Sequence, residues 1–337
     1  MKKNRILFRA DGSSNAGYGH VMRALSLAAI LKKKFQCVFI IQNPDTFLRN
    51  QIKNVCDKII EIPVTENLIN ESESISTKFI NPDDIVVLDG YNFKTGYQKQ
   101  IKKACFKLVC IDDIFNTHFV ADVIINHSEG IKISDYSKEN YTKLFLGTKY
   151  AILRKSFLKK RLKQIDPDFS ALSVFINMGG TDPDNYTKRA LKICLKNVNI
   201  KSIDIVIGSF YPYVEELKKM TGSDKKIKIH SNLTETKMYS LIKKSSIAIC
   251  SASTISYECA SVGGIMFVYK TAYNQKNIYS FLVKREVAFP ISSLNLKLTE
   301  FKNKKIRQKY FDNRRLLFSG DSDKNLKNIF TDLITIS

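Results

Sequence analysis

The sequence predicts an α/β protein of two Rossmann-like lobes, each a doubly wound parallel sheet, facing a cleft. Three observations carry this. Short apolar runs rich in β-branched side chains alternate with helical stretches, which is how strands buried on both faces read. The alternation pauses over residues 150–170, YAILRKSFLKKRLKQIDPDFS, and then restarts. A chain of 337 residues with 44% hydrophobic side chains is long enough for about two domains.

The first series of strands runs RILFRA at the start, CVFII at 37–41, IVVLD at 85–89, KLVCIDD at 107–113 and DVIIN at 122–126, with a helix opening at Gly19. The pause carries a basic helix and a Pro-containing turn, so the boundary between a first domain, 1–152, and a second, 153–290, falls there. The second series is SVFINMGG at 173–180, IDIVIG at 203–208, KIKIH near Ile227, SIAICSAS at 246–253 and GIMFVY at 264–269. Residues 291–337 form a helical extension, with helices expected over 302–318 and 324–333 that pack back across the lobes. Open parallel sheets bind ligands beyond the carboxyl ends of their strands, so the loops after the strands are where chemistry belongs.

Composition narrows the function. The seven cysteines occur singly and are odd in number, and read as reduced core thiols. The four histidines are scattered, so neither a metal nor another cofactor is expected. A formal charge of +22 fits nucleic acid, an anionic surface or a phosphorylated small molecule. The lysines, however, alternate with Asn and Ile along most helices and form no recognised nucleic-acid module, which favours solvated helix faces. No apolar stretch approaches the roughly 18 residues of a membrane span. A cytoplasmic monomer without membrane insertion is the expectation.

Three loops carry chemistry. Between Asp11 and Gly19, the glycines Gly12, Gly17 and Gly19 let the backbone turn sharply and approach a ligand, and the helix that follows aims free N–H groups at it. His20 stands in that first turn, where the helix dipole favours the uncharged ring. An uncharged imidazole in a cleft is a general base, and a capping or packing histidine is the plainer reading of the same position. In NMGGTDPDN, Gly179 and Gly180 allow close approach of a phosphate, Thr181 offers a hydroxyl, and Asp182 or Asp184 caps a helix that Pro183 starts. In CSASTISYECASVGG, Ser251, Ser253 and Thr254 cluster at a strand end, and Glu258 lies one helical turn on, where a carboxylate can hold a ribose diol. Asn274 and Gln275 follow the next strand, and amide side chains suit sugar hydroxyls.

Taken in order, RADGSSNAGYGHVMRALSLA, LDGY (88–91), IDD (111–113), YAILRKSF (150–157), MGGTDPDN, SASTISYE and the later Asn-Gln pair resemble the UDP-sugar hydrolases of pseudaminic acid biosynthesis. These convert UDP-2,4-diacetamido-2,4,6-trideoxy-β-L-altropyranose to UDP and the free sugar. The resemblance spans about residues 5–290. It implies a GT-B fold, with UDP held by the C-terminal lobe and the sugar presented to the N-terminal one. It places the family's catalytic histidine on His20, drawing a proton from water as it attacks the anomeric carbon with inversion, and the ribose-binding glutamate on Glu258. Gly179, Gly180, Thr181, Ser253 and Thr254 would stabilise the leaving group without a metal, Arg154 would add a contact to UDP, and Tyr91 and Asp11 would orient the sugar or the water. Where shorter relatives read D-H-Y, this chain reads Asp89-Gly90-Tyr91. A glycosyltransferase with a UDP-sugar donor shares the same scaffold, and a nucleic-acid-binding protein is the rival from another class.

Overall fold

The computed structural model describes residues 3–12, 17–158, 166–318 and 320–335. Its chain divides into two compact units. Of the described residues, the first takes in 18–155 with the N-terminal strand and 322–335; the second takes in Gly17, 156–158, 166–318 and 320–321.

The first unit runs β1 (Arg5–Ala10), α1 (Gly19–Leu31), β2 (Gln36–Gln42), α2 (Thr46–Val55), β3 (Lys58–Ile62), α3 (Leu68–Lys78), β4 (Ile85–Asp89), α4 (Thr95–Ala104), β5 (Lys107–Ile111), β6 (His118–Phe119), β7 (Val123–Asn126), β8 (Ser137–Lys138) and β9 (Lys143–Leu146). Seven strands form one sheet in the order β3-β2-β1-β4-β5-β7-β9, while β6 and β8 pair apart. Every pairing is parallel. Ile6, Leu7 and Phe8 of β1 are fully buried because helices cover both faces, which is why this strand reads as an unbroken apolar run. The strand order reverses between β1 and β4, and their carboxyl ends mark the switch point.

The second unit repeats the plan with β10 (Leu172–Asn177), α5 (Tyr186–Leu195), β11 (Ile200–Ile207), α6 (Val214–Thr221), β12 (Ile227–Ser231), α7 (Glu235–Lys244), β13 (Ile247–Ser251), α8 (Thr254–Val262), β14 (Ile265–Tyr269), α9 (Lys276–Lys284), β15 (Phe289–Pro290), α10 (Leu294–Glu300) and α11 (Lys304–Leu317). Its six strands lie in the order β12-β11-β10-β13-β14-β15, again all parallel, with the switch between β10 and β13.

Several expectations change. The division falls at Lys155, and residues 291–337 are not a unit of their own. Tyr310 of α11 packs against Phe289 and Phe301 at ring distances of 5.6 and 5.1 Å, which places this helix in the second core. The last helix, α12 (Ser322–Thr335), buries Leu326 and Phe330 in the first unit, with Phe330 edge-on to Phe35. Apolar faces on neighbouring helices thus belong to different cores. The short strands β3, β9 and β15 escaped the pattern because each is brief and partly exposed. The basic helix expected within 150–170 falls largely on residues outside those described; a single 3-10 turn, Lys155–Leu158, precedes them. All seven cysteines are free, and burial pushes the thiols of Cys37, Cys105 and Cys194 up to about 12, which keeps them protonated.

Candidate functional site

At the switch point of the first unit, α1 opens beside the end of β4. His20 sits in the first turn of α1, and Tyr18 precedes the helix without a side-chain cap. Asp89, the last residue of β4, is fully buried, and His20 Nδ1 lies 2.7 Å from its Oδ1. Arg23, three residues along α1 and so on the same face, grips that carboxylate as a fork: Nε donates to Oδ2 at 2.8 Å and Nη2 to Oδ1 at 2.6 Å. Its Nη1 reaches Asp113, beyond β5, at 3.1 Å. Burial opposes charge on Asp89, but the charge and hydrogen bonds of Arg23, joined by His20, outweigh it and hold the carboxyl down at about 2. An ionised carboxylate only accepts. Nδ1 therefore donates to Asp89, and Nε2 is the ring nitrogen that this pairing leaves over. The Tyr91 ring meets the imidazole edge to face, centroids 4.5 Å apart.

His127, buried beyond β7, is pushed down to about 4 by burial first and then by the charge of Arg23. It is neutral at physiological pH. Asp11 has a more structural setting. Arg9, buried in β1, binds both oxygens of Glu71 at 3.0 Å and Asp11 Oδ1 at 2.5 Å, and that same Oδ1 accepts from the backbone N–H of Gln42. Only Oδ2 of Asp11 is left for other work. Gly17 has a left-handed φ of +68°, which a side chain would strain. At Gly19 an added Cβ would meet open space, so nothing in the protein's own packing demands a glycine there.

In the second unit, the loops after β10 and β13 lie side by side, since Asn177 pairs with Cys250 across the two strands. Gly179 holds φ +98°, and a Cβ there would sit 3.8 Å from Ser251 Oγ. Gly208, which local pattern did not single out, lets two backbones touch: a Cβ at that position would lie 2.1 Å from the Gly180 carbonyl oxygen. The helix after this loop begins at Tyr186, not at Pro183, which lies in a turn. Asp182 supplies both oxygens to the N–H groups of Tyr186 and Thr187 at 2.8 Å, and Asn185 takes Lys188 N–H. The amino end of α5 is thus occupied by the protein itself. The amino end of α8 differs, because Ser253 stands at its N-cap with no side-chain bond to the helix and no acidic residue lies in the first turn. Ser251 Oγ and Ser253 Oγ pair at 2.9 Å beside it. Backbone donors at an uncapped helix start suit an anion.

Glu258, on α8, is 3% exposed, so it is no solvated surface glutamate. Asn274 and Gln275 lie in a 3-10 turn, but Gln275 turns its amide oxygen back onto Thr271, accepting from N at 2.8 Å and from Oγ1 at 3.1 Å. Its NH₂ remains for a ligand. Arg154 is partly buried in the segment before Lys155. The structure brings Thr181, Ser253 and Thr254 to one switch point and His20 and Tyr91 to the other. Asp89 and Arg23 were missed as neighbours of His20, and Asp113 as the further partner of Arg23, although LDGY and IDD marked the places where Asp89 and Asp113 lie. Among the described residues, no group of three or more His, Cys, Asp or Glu is arranged to hold a metal ion, and no helix is long and apolar enough to cross a membrane.

No protein-family profile matches the chain. Among curated proteins, it is 26% identical to the UDP-2,4-diacetamido-2,4,6-trideoxy-β-L-altropyranose hydrolase of Campylobacter jejuni over 83% of this chain and 97% of that one. It is 27% identical to an uncharacterized protein of Methanocaldococcus jannaschii over 83% of this chain, and the match spans only 58% of that relative's length. Among solved structures, Acinetobacter baumannii MurG superposes with a TM-score of 0.64 at 15% identity, covering 98% of this chain and 99% of the other. That likeness shows the fold, which is of the GT-B type. The chain is thus similar in sequence to the UDP-2,4-diacetamido-2,4,6-trideoxy-β-L-altropyranose hydrolase and shares the GT-B fold, as its motifs led us to expect.

Proposed function

We propose that the protein hydrolyses a UDP-linked diacetamido-trideoxy sugar of the altrose type to UDP and the free sugar, as a step of pseudaminic acid biosynthesis. The second unit holds UDP. The uncapped start of α8 with Ser253 and Thr254, and the Gly179-Gly180-Thr181 loop, receive the diphosphate, while Glu258 takes the ribose diol and Arg154 adds a contact. Asn274 and the Gln275 NH₂ serve the sugar hydroxyls. Gly17 and Gly19, which carry no side chain, leave room for the sugar, and Tyr91 and the Oδ2 of Asp11 orient it.

His20 Nε2 takes a proton from water as the water oxygen attacks the anomeric carbon. The bond to the diphosphate oxygen breaks, and UDP leaves with the electron pair. Asp89 fixes the tautomer and meets the positive charge that the ring acquires; Arg23 fixes Asp89. Donors at the diphosphate stabilise the negative charge that builds on the leaving group, an electrostatic role that helix ends and hydroxyls can fill.

The observation that carries this reading is the His20–Asp89 pair at 2.7 Å, which supplies a base where the sequence matches a UDP-sugar hydrolase. Incubation with a panel of UDP-sugars, with and without acceptor, followed by NMR of both products, tests it. Free sugar and UDP without acceptor are expected. A glycosylated acceptor with no free sugar would place the chain among the transferases that share its fold.

A further inference from the structure

At the carboxyl ends of β4 and β5, the first unit holds a small pocket lined in part by Tyr91, whose other lining residues the reaction above does not use. Much of its lining is apolar: Phe93, Cys110 and Phe119 are buried, and Ile114 lines it with them. Its polar groups differ in what they have left to give. Gln98 spends its amide on Phe93 O at 2.9 Å and Val120 N at 3.1 Å. Asp112 accepts from Phe115 N and Tyr136 OH at 2.8 and 3.0 Å. At the exposed rim, Lys94 donates to Asn116 Oδ1 at 2.6 Å, which leaves two ammonium protons and the Asn116 NH₂ as donors. The rim thus offers hydrogen-bond donors beside apolar lining side chains, which is the complement of a short acyl group: a carbonyl oxygen and a methyl.

Gly90 and Phe93 both line the pocket and lie against each other. A Cβ at position 90 would lie 2.9 Å from the Phe93 ring, so any side chain there forces the ring to shift. We infer that this pocket receives one N-acyl arm of the sugar, its carbonyl taken by Lys94 and Asn116 and its methyl by Phe93 and Ile114, so that Gly90 and Ile114 set the acyl size accepted. The inference rests on the sugar-nucleotide reading above.

Paired UDP-sugars carrying N-acetyl, N-propanoyl or a plain hydroxyl test it on the full chain. One methylene in an apolar pocket is worth about tenfold or more in kcat/KM. Ile114→Ala is expected to raise the N-propanoyl to N-acetyl ratio about tenfold, and Gly90→Ala to lower kcat/KM for the N-acetyl sugar by a similar factor while inhibition by UDP stays as in the wild type. Ratios unchanged in both variants overturn the inference even where turnover is normal. Saturation-transfer NMR on the free N-acetylated sugar needs no turnover: the acetyl methyl should be the most saturated group with the wild type and lose that rank with Gly90→Ala. If no UDP-sugar is turned over, the functional reading fails and this methyl signal alone decides the pocket.

Discussion

The two switch points are built from the same topology and filled with opposite chemistry. In the first unit the strand ends carry charges, and nearly all of them are engaged: Asp89 is buried between His20 and Arg23, with Asp113 on the far side of the arginine. In the second unit the strand ends carry glycines and hydroxyls, and the start of α8 is left uncapped while α5, its neighbour across the switch, is capped twice by Asp182 and Asn185. The contrast teaches that one end is fitted to hold a side chain in one protonation state and orientation, and the other to leave backbone donors for an anion.

The strongest way to break this comparison is at the base. His20→Asn and Asp89→Asn should each reduce turnover at least about a hundredfold, as for loss of a general base or its orienting partner, with UDP affinity by calorimetry retained. A parallel loss of UDP binding would show that the first switch point also holds the nucleotide. Next comes Ser253→Asp, which places a carboxylate where α8 now has none. It should stabilise the helix by a few tenths to 1 kcal/mol and yet weaken UDP roughly tenfold or more, because the added charge occupies and repels. Tighter UDP binding in this variant would remove the anion site from α8. Glu258→Ala should raise the UDP dissociation constant about tenfold with little change in kcat, and a 2′-deoxy nucleotide should lose most of that difference.

The smallest effect concerns stability against pH. Because His127 is pushed down to about 4 from an ordinary 6.5, the unfolded chain binds its proton first as pH falls, so stability drops between roughly pH 6.5 and 4. Asp89, held at about 2 against an ordinary 3.8, contributes stability that is present above pH 4 and is lost between about pH 4 and 2. Denaturant melts across both windows should show two separate declines, and His127→Gln should flatten the upper one by on the order of 2 kcal/mol. A wild type with a flat profile from pH 6.5 to 4 would contradict the buried neutral ring.

Much of this was legible along the chain. The strand at Ile85–Asp89 and the helix opening at Gly19 fell where their patterns placed them, since a buried parallel strand and an amphipathic helix each announce themselves within about ten residues. His20 stood out because histidine is an unusual choice for a first helical turn. Its partners did not stand out. Asp89 and Arg23 each read as an ordinary charged residue, and 66 positions separate them. Gly208 likewise looked like any strand-end glycine until the Gly180 backbone was seen lying against it.

What the chain determined by itself is the alternation of elements and the character of each loop, because apolar period, glycine placement and helix starts are local properties of the backbone. What only the tertiary structure decided is which loops become neighbours: β4 lies beside β1, which brings Asp89 under His20, and β13 lies beside β10, which sets the start of α8 against Gly179. It also sent α11 and α12 to different cores through Tyr310 and Phe330. Strand order and helix docking are settled by the total surface buried and by the pairing of charges that cannot be left alone in an interior, and neither is written in any one segment.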